Sequence, residues 1–580
     1  MIQKSRPSPA DLLTTKLSDL LSRSAMVFIN VDLGARRFVL STILVLLGGW
    51  ALYFLYDGVT MRQRFRRMRA QGIPIPEPYS LIFGHLPLLM TLNKGHPNDA
   101  HANYAFKNLI QNWQKYYPNE SKCPPLLYLD LWPFFPHALI TVVSPELCHQ
   151  FTQENPQPRH IIFKWAMTPL TGGIDLLSMN VADHQVWRTR LNPAFSTRNL
   201  YANTPGIVEE VSVFARLLKE MAGKNGEWGQ MFTLYPRCCR LTFDVILRFV
   251  LGIRTQEQTK GPGPLLVAFR TIIPYCNTRN LRNMTVRLLP HYRRLHAHNS
   301  KIIRDILTPE IMKSVNSQSD KQNAVIDFAV RDVTQGKEPP SSEFMDALIA
   351  TIKAFLFAGH DTTAQTICWL LWEINKNPEI WPRLRAEHDD VLGPDPNQAE
   401  EILRENPHKT NELRYTTAVV KEALRTHGLG STFREGSHSF NFVWEGRRYP
   451  TYNAVIQTIP TAMLLHPELW PRVNDFIPER YLVPEGDPLR PVENAWRPFE
   501  MGNMRCIGEP LGMTELILVL VFVAREIDFD FNYSEWDKVQ HRDPSKPPSL
   551  VDGERAYRCG EGMGCVKDQL PTRVRLRTGR

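Results

Sequence analysis

The stretch Phe499-Glu-Met-Gly502-Asn-Met504-Arg505-Cys506-Ile-Gly508-Glu-Pro510 holds one cysteine between glycines, with an aromatic residue ahead of it. The run that follows, 511–524, is mostly apolar and predicts a helix. No second cysteine lies nearby for a disulfide, and no CxxC or Cys/His cluster surrounds it to hold zinc. What the setting offers is a single thiolate at a loop-to-helix junction. There, backbone N–H groups and a helix N-terminus stabilise negative charge on sulfur. Glycine lets the backbone approach a flat object closely. A single axial thiolate to a haem iron needs this arrangement; a buried free cysteine beside a turn is the bland alternative.

Moving outward, Ala358-Gly-His-Asp361-Thr362-Thr363 lies inside a long apolar run that predicts a helix from about 343 to 375. Gly359 in mid-helix costs ~1 kcal/mol relative to alanine, so it marks close approach by something. An acid beside two hydroxyls in such a helix is expensive unless solvated or paired. A kink with a satisfied polar cluster would account for it as well. Glu422 and Arg425 share a helical face three residues apart, a pair common on surfaces. Further motifs are Asp183-His184-Gln-Val-Trp187-Arg188-Thr-Arg190, Phe476-Ile-Pro478-Glu-Arg480-Tyr481, and Ser431-Thr-Phe433-Arg434-Glu435.

In this order the motifs resemble those of the cytochrome P-450 family over roughly residues 72–577. The cysteine stretch is similar to the haem-binding loop FxxGxRxCxG, with Phe499, Gly502, Cys506 and Gly508 on pattern. The usual arginine, two before the cysteine, is replaced by Met504, and Arg505 follows. The resemblance implies haem b with Cys506 as axial thiolate. It implies that Asp361 and Thr362 manage protons at the oxygen-binding helix, whose widened groove admits oxygen and water. His184, Arg188, Arg434 and possible partner Arg505 would neutralise the haem propionates, with Phe499 beside the cofactor. His184 stands at the usual tryptophan position, and both side chains donate a ring N–H; Trp187 with Arg190 is the competing register. Glu422, Arg425 and Arg480 would form a buried network that braces the cysteine loop. Segments 349–357, 430–433 and 560–564 would face substrate, and 560–574 resembles a final β-hairpin.

Residues 38–56 carry no charged side chain, and 19 residues span about 28 Å as a helix, close to the thickness of a bilayer core. Trp50, Tyr53 and Tyr56 lie toward one end, as in an interfacial belt. Five arginines follow within fifteen residues (Arg62, Arg64, Arg66, Arg67, Arg69), and three precede (Arg23, Arg36, Arg37). That excess points the C-terminal side to the cytosol. The expected organisation is a lumenal tail at 1–37, a transmembrane anchor at 38–56, a basic segment and proline-rich hinge at 57–78, and a catalytic domain at 79–580. Sequons at Asn119, Asn283 and Asn532 would then go unused.

The net charge of +9 would suit a nucleic-acid binder, but no such module is visible. Nine scattered cysteines are the usage of a reducing compartment. Short strands are expected near 126–131, 138–143, 440–444, 448–449 and 454–458. The expected fold class is mainly α with a minor β part, and the resemblance implies a cytochrome P-450 fold, preceded by an N-terminal transmembrane helix. The expected activity is a single-pass monooxygenase of the endoplasmic reticulum membrane. It would insert one oxygen atom from O2 into an apolar lipid or secondary metabolite. No flavin or nicotinamide fingerprint is present, so electrons would come from a separate NADPH–cytochrome reductase. A haem-thiolate isomerase or lyase, or a non-catalytic haem protein, are the alternatives.

Overall fold

The structure is a computed structural model that describes residues 33–276, 285–316, 323–334 and 340–578. The N-terminal tail with Arg23 and the Asn283 sequon lie outside the described residues, as do the side chains of Arg36 and Arg37. The chain divides into two compact units. The first contains helix α1, Leu33–Ala70, which is long and apolar enough over 40–70 to cross a membrane. Phe38, Leu44, Val45, Trp50, Leu52 and Tyr56 are all exposed along it. The first part of the expected basic segment, up to Ala70, is the last turns of this same helix. It is not wholly a surface element: Met61, Arg62, Phe65 and Met68 are buried. Arg62 donates to the Trp132 carbonyl at 3.2 Å.

The second unit is mainly helical. Its helices relevant to the site are α2 (Ile162–Thr171), α3 (Val181–Leu191), α4 (Thr197–Glu220), α5 (Tyr235–Leu251), α6 (Pro264–Ile272), α7 (Pro290–Asn316), α8 (Ser342–Lys376), α9 (Ile380–Leu392), α10 (Arg414–Thr426) and α11 (Glu509–Ala524). The long helix α8 runs within a residue or so of its expected ends. Ser341 caps it by accepting the Phe344 N–H at 3.2 Å, and Glu343 and Lys376 sit at the ends the helix dipole favours. Its middle is buried through Trp369, Leu370 and Leu371. Helix α11 has no wet face between Leu516 and Val521, which explains the unpatterned apolar run.

The β part is small. Strands β1 (Leu126–Leu129), β2 (Ala138–Val142), β4 (Thr432–Glu435) and β7 (Ala454–Thr458) form one sheet in the order β1-β2-β7-β4. Strand β3 (Phe232–Thr233) pairs elsewhere, as described below. Strands β2 and β7 run parallel, and β7 is buried along its whole length. Strand β4 pairs antiparallel with it, Arg434 opposite Ile456, and Arg434 is the buried residue of β4. Strands β5 (Asn441–Trp444) and β6 (Arg447–Pro450) form a hairpin around Glu445 and Gly446, both at positive φ.

The C-terminal region departs from a single final hairpin. Strands β9 (Arg558–Cys559) and β10 (Cys565–Val566) make a short ribbon, while β11 (Pro571–Leu576) leaves it to pair with β8 (Ile527–Asp530) and β3. The Asn532 side chain caps a short helix by accepting the Glu535 N–H at 2.9 Å, whereas Asn119 is exposed.

Candidate active site

A cavity of about 870 Å³ inside the second unit collects most of the residues singled out from the sequence: Cys506, Asp361, Thr362, His184, Arg188 and Arg434. Phe499 and Arg505 also line it. Its walls are largely apolar, with Phe163, Phe355, Phe357, Phe433, Ile459 and Met563 among them. Of the expected substrate-facing segments, 430–433 and 560–564 line it throughout, whereas 349–353 do not.

The cysteine loop is tied to itself. The Cys506 N–H donates to the Phe499 carbonyl at 2.9 Å and the Arg505 N–H to the Gly502 carbonyl at 3.1 Å. Gly502 sits at φ 83°, and a Cβ there would stand 2.2 Å from the Thr152 carbonyl oxygen, so only glycine fits. The Cys506 side chain is exposed by surface area yet deep among protein atoms, because the surface it offers faces the cavity. Burial pushes its thiol up. Backbone N–H groups of Gly508 and Glu509, together with Arg188, act against that rise, and the Glu509 carboxylate adds to it.

From α8, Asp361 and Thr362 both line the cavity but are held differently. Tyr235, the first residue of α5, donates its hydroxyl to Asp361 Oδ1, and Gln365 donates to Oδ2 at 3.2 Å. Burial raises the Tyr235 phenol, and the Cys239 and Asp361 acids raise it further. Arg270 lies 5.4 Å from the centre of the Tyr235 ring. Burial alone would pull Arg270 down, but Cys239, Tyr235 and Asp361 bring it above its ordinary value. The Thr362 hydroxyl donates to the Ala358 carbonyl at 2.8 Å, leaving its oxygen as an acceptor. The close approach that Gly359 signalled is by Ile246 of α5: a Cβ on Gly359 would meet Ile246 Cδ1 at 2.6 Å. The glycine therefore admits a neighbouring helix.

One side of the cavity is cationic. His184 and Arg188 of α3 line it. Trp187 stacks on Phe344 at 5.4 Å, and Arg190 lies over both rings, away from the cavity. Burial, then Arg159, Arg188 and Arg434, drive His184 down to about 3, so it offers an N–H and carries no charge. Arg434 is pulled down to about 10 by burial and contacts the Met504 sulfur with Nη1. Arg188 donates to the Arg505 carbonyl at 3.0 Å. Both Arg188 and Arg434 keep a buried Nε without a partner. Arg505 itself is 58% exposed and reaches toward Glu509 at 3.8 Å.

Arg159 was missed. It lines the cavity, bridges to Arg434 through backbone, and donates to the Leu177 carbonyl at 2.6 Å. Burial, then Arg434, lower it to about 9. It sits in a proline-broken loop with no periodicity, so no local pattern marks it. Glu515 was missed too: this α11 carboxyl lines the cavity, has an unpartnered Oε1, and is raised to about 8 by burial. A lone acid in the apolar run 511–524 was the available signal.

The expected Glu422–Arg425–Arg480 network is present and lies off the cavity. Glu422 accepts from Arg425 Nε and Nη2 at 2.9 and 2.8 Å and from Arg480 Nε at 3.1 Å. The spare guanidinium N–H groups go to backbone carbonyls, among them Val473, Asp475 and Pro471. All three side chains are fully buried. Trp496, just ahead of the cysteine loop, donates to the Lys421 carbonyl beside Glu422 at 3.1 Å.

Comparison with known proteins agrees with this geometry. Residues 129–552 match the family model for cytochrome P-450. The chain is 32% identical over 533 residues to the cytochrome P-450 monooxygenase polC of Polytolypa hystricis, covering 90% of this chain and 93% of that one. It is 29% identical to the cytochrome P-450 monooxygenase acrF of Aspergillus aculeatus, over 78% and 94% of the two chains. Among solved structures, the cytochrome P-450DA haem domain superposes with a TM-score of 0.64 at 18% identity, covering 87% of this chain and 98% of that one. A cavity-facing cysteine at a loop-to-helix junction, with these relatives along most of its length, makes this chain an oxygenase that belongs to the cytochrome P-450 family.

Proposed function

We propose that the protein is a membrane-anchored haem-thiolate monooxygenase that hydroxylates an apolar small molecule, with Cys506 as the axial ligand. The observation that carries this is the convergence of a thiol at a loop-to-helix junction, an acid–alcohol pair and a cationic wall on one apolar cavity. The residues fit a haem. Three guanidiniums on one wall, of which Arg159 is lowered by burial and by its two neighbours while Arg188 and Arg434 have orphaned Nε atoms, call for anions, and the propionates are two carboxylates. When bound, the haem supplies oxygen activation, favoured by electron donation from an axial thiolate.

The chain's own residues do the rest. The N–H groups of Gly508 and Glu509 point at the Cys506 sulfur and support its anionic form. Arg159, Arg188 and Arg434 would hold the propionates through their guanidinium groups, and His184 through a ring N–H. Asp361, held by hydrogen bonds from Tyr235 and Gln365, passes protons toward the cavity, and the Thr362 oxygen accepts at its edge. The Glu422–Arg425–Arg480 network braces the loop through Lys421 and Trp496. Helix α1 anchors the protein in the endoplasmic reticulum membrane with the catalytic unit in the cytosol, beside an NADPH–cytochrome reductase that supplies electrons. Substrate is a lipid or secondary metabolite able to partition from the bilayer.

The test is the carbon monoxide difference spectrum of the reduced protein. Thiolate ligation gives a strongly red-shifted band, and Cys506→Ser removes it. A Cys506→Ser variant that keeps the band would end this proposal.

A further inference from the structure

Five of the nine cysteines are buried, and Cys559 and Cys565 are not among them. These two are directly opposite each other across β9 and β10. Their sulfurs stand 3.7 Å apart. Directly opposed strand positions lie about 4.5–5.5 Å apart at Cα, inside the range a disulfide spans. Both are partly exposed, and both line the cavity together with the tip between them.

The tip is glycine-rich and is held at two points, by the Gly560 N–H on the Asp99 carbonyl at 2.8 Å and by His101 Nε2 at 3.0 Å from the Gly562 carbonyl. Gly560, Gly562 and Gly564 all sit at positive φ, and a Cβ on Gly560 or Gly562 would touch nothing within 4 Å. The base is pinned: Arg558 donates to the carbonyls of His427 and Gly428, both at 2.9 Å, and the Lys567 N–H to Tyr557 at 2.8 Å. The pair is asymmetric. The hydrogen bond between the two thiols lowers Cys565 and, with burial, raises Cys559. Cys565 is thus the readier thiolate and Cys559 the resolving partner.

We propose that Cys559 and Cys565 form a peroxide-oxidisable dithiol whose disulfide fixes the cavity-lining hairpin. The Cys565 thiolate attacks hydrogen peroxide, the O–O bond breaks, and Cys565 becomes a sulfenic acid as one water leaves after protonation. The Cys559 sulfur then attacks that sulfur, displacing its hydroxyl as a second water. Two thiols and one peroxide give one disulfide and two waters: the sulfurs lose two electrons and the peroxide gains them. A dithiol reductant reverses it. That the hairpin bounds a substrate chamber rests on the function proposed above; the sulfur chemistry does not.

The experiment treats the full-length purified protein with hydrogen peroxide, blocks free thiols with an alkylating agent, and reads each cysteine by peptide mass. Cys559 and Cys565 should lose alkylation together, at least about tenfold faster than Cys238 and Cys368, and dithiothreitol should restore it. Those two helix cysteines, 4.0 Å apart and fully buried, are the internal control. In Cys559→Ser, Cys565 should stop at a sulfenic acid trapped by dimedone. Amide hydrogen exchange over residues 560–564 should slow at least about tenfold on oxidation. Continued alkylation of both thiols, pairing of either with another cysteine, or unchanged exchange overturns the proposal. The carbon monoxide spectrum of protein not exposed to peroxide tests Cys506 separately, and its failure would leave the Cys559–Cys565 readouts as they stand.

Discussion

The Tyr235 hydroxyl donates to Asp361 Oδ1, linking the first turn of α5 to the middle of α8 across the buried interface beside the cavity. Both oxygens of the carboxylate are engaged, Oδ2 by Gln365. Tyr235→Phe keeps the ring under Arg270 and deletes only the donor. We expect turnover to fall about tenfold, with the solvent isotope effect rising and more NADPH consumed per product formed. Haem content should not change. Unaltered coupling would remove Tyr235 from the proton path.

Gly359→Ala places a methyl 2.6 Å from Ile246 Cδ1. Overpacking of this kind costs about 1–3 kcal/mol. Denaturant unfolding should show that loss, and Gly359→Ala combined with Ile246→Ala should recover part of it. A double variant no more stable than Gly359→Ala alone would mean that the clash is relieved some other way.

Glu422→Ala leaves Arg425 and Arg480 buried without their shared carboxylate. Removing one partner of such a network costs about 3–5 kcal/mol. Expression with little or no bound haem is expected, measured as haem per polypeptide.

Arg159 and Arg505 separate burial from sequence position. Arg159→Ala removes a buried cation from the cavity wall, and haem should dissociate at least about tenfold faster. Arg505 is mostly solvent-exposed, so Arg505→Ala should change haem dissociation less than twofold. Transfer of haem to an apoprotein acceptor measures both.

Glu515 makes stability fall with rising pH. Its ordinary value is 4.5, and burial lifts it to about 8. Between these limits the native state holds a proton that the unfolded chain has released. The contribution is complete below pH 4.5 and diminishes through pH 8, by about 1.4 kcal/mol per pH unit. Glu515→Gln, which cannot ionise, should flatten that slope in unfolding experiments between pH 5 and 8.

What the sequence determined is local. Periodicity set the limits of α8, because a buried helix with a Ser341 cap writes its ends into its residues. Strand β7 was legible as a short apolar run. A cysteine without a neighbouring partner marked a loop that lines the cavity, and a charge-free 19-residue run announced the apolar part of α1.

What only the tertiary structure decided is which side chains meet. Met504 and Arg505 could exchange places on paper, yet the loop buries Met504 against Arg434 and leaves Arg505 58% exposed at the cavity's rim beside Glu509. His184 and Trp187 both sit on α3, and packing against Phe344 sends Trp187 away from the cavity. Arg159 joins Arg434 across a backbone bridge 275 positions distant in sequence. Such encounters depend on burial and long-range register, whose energies no local pattern encodes.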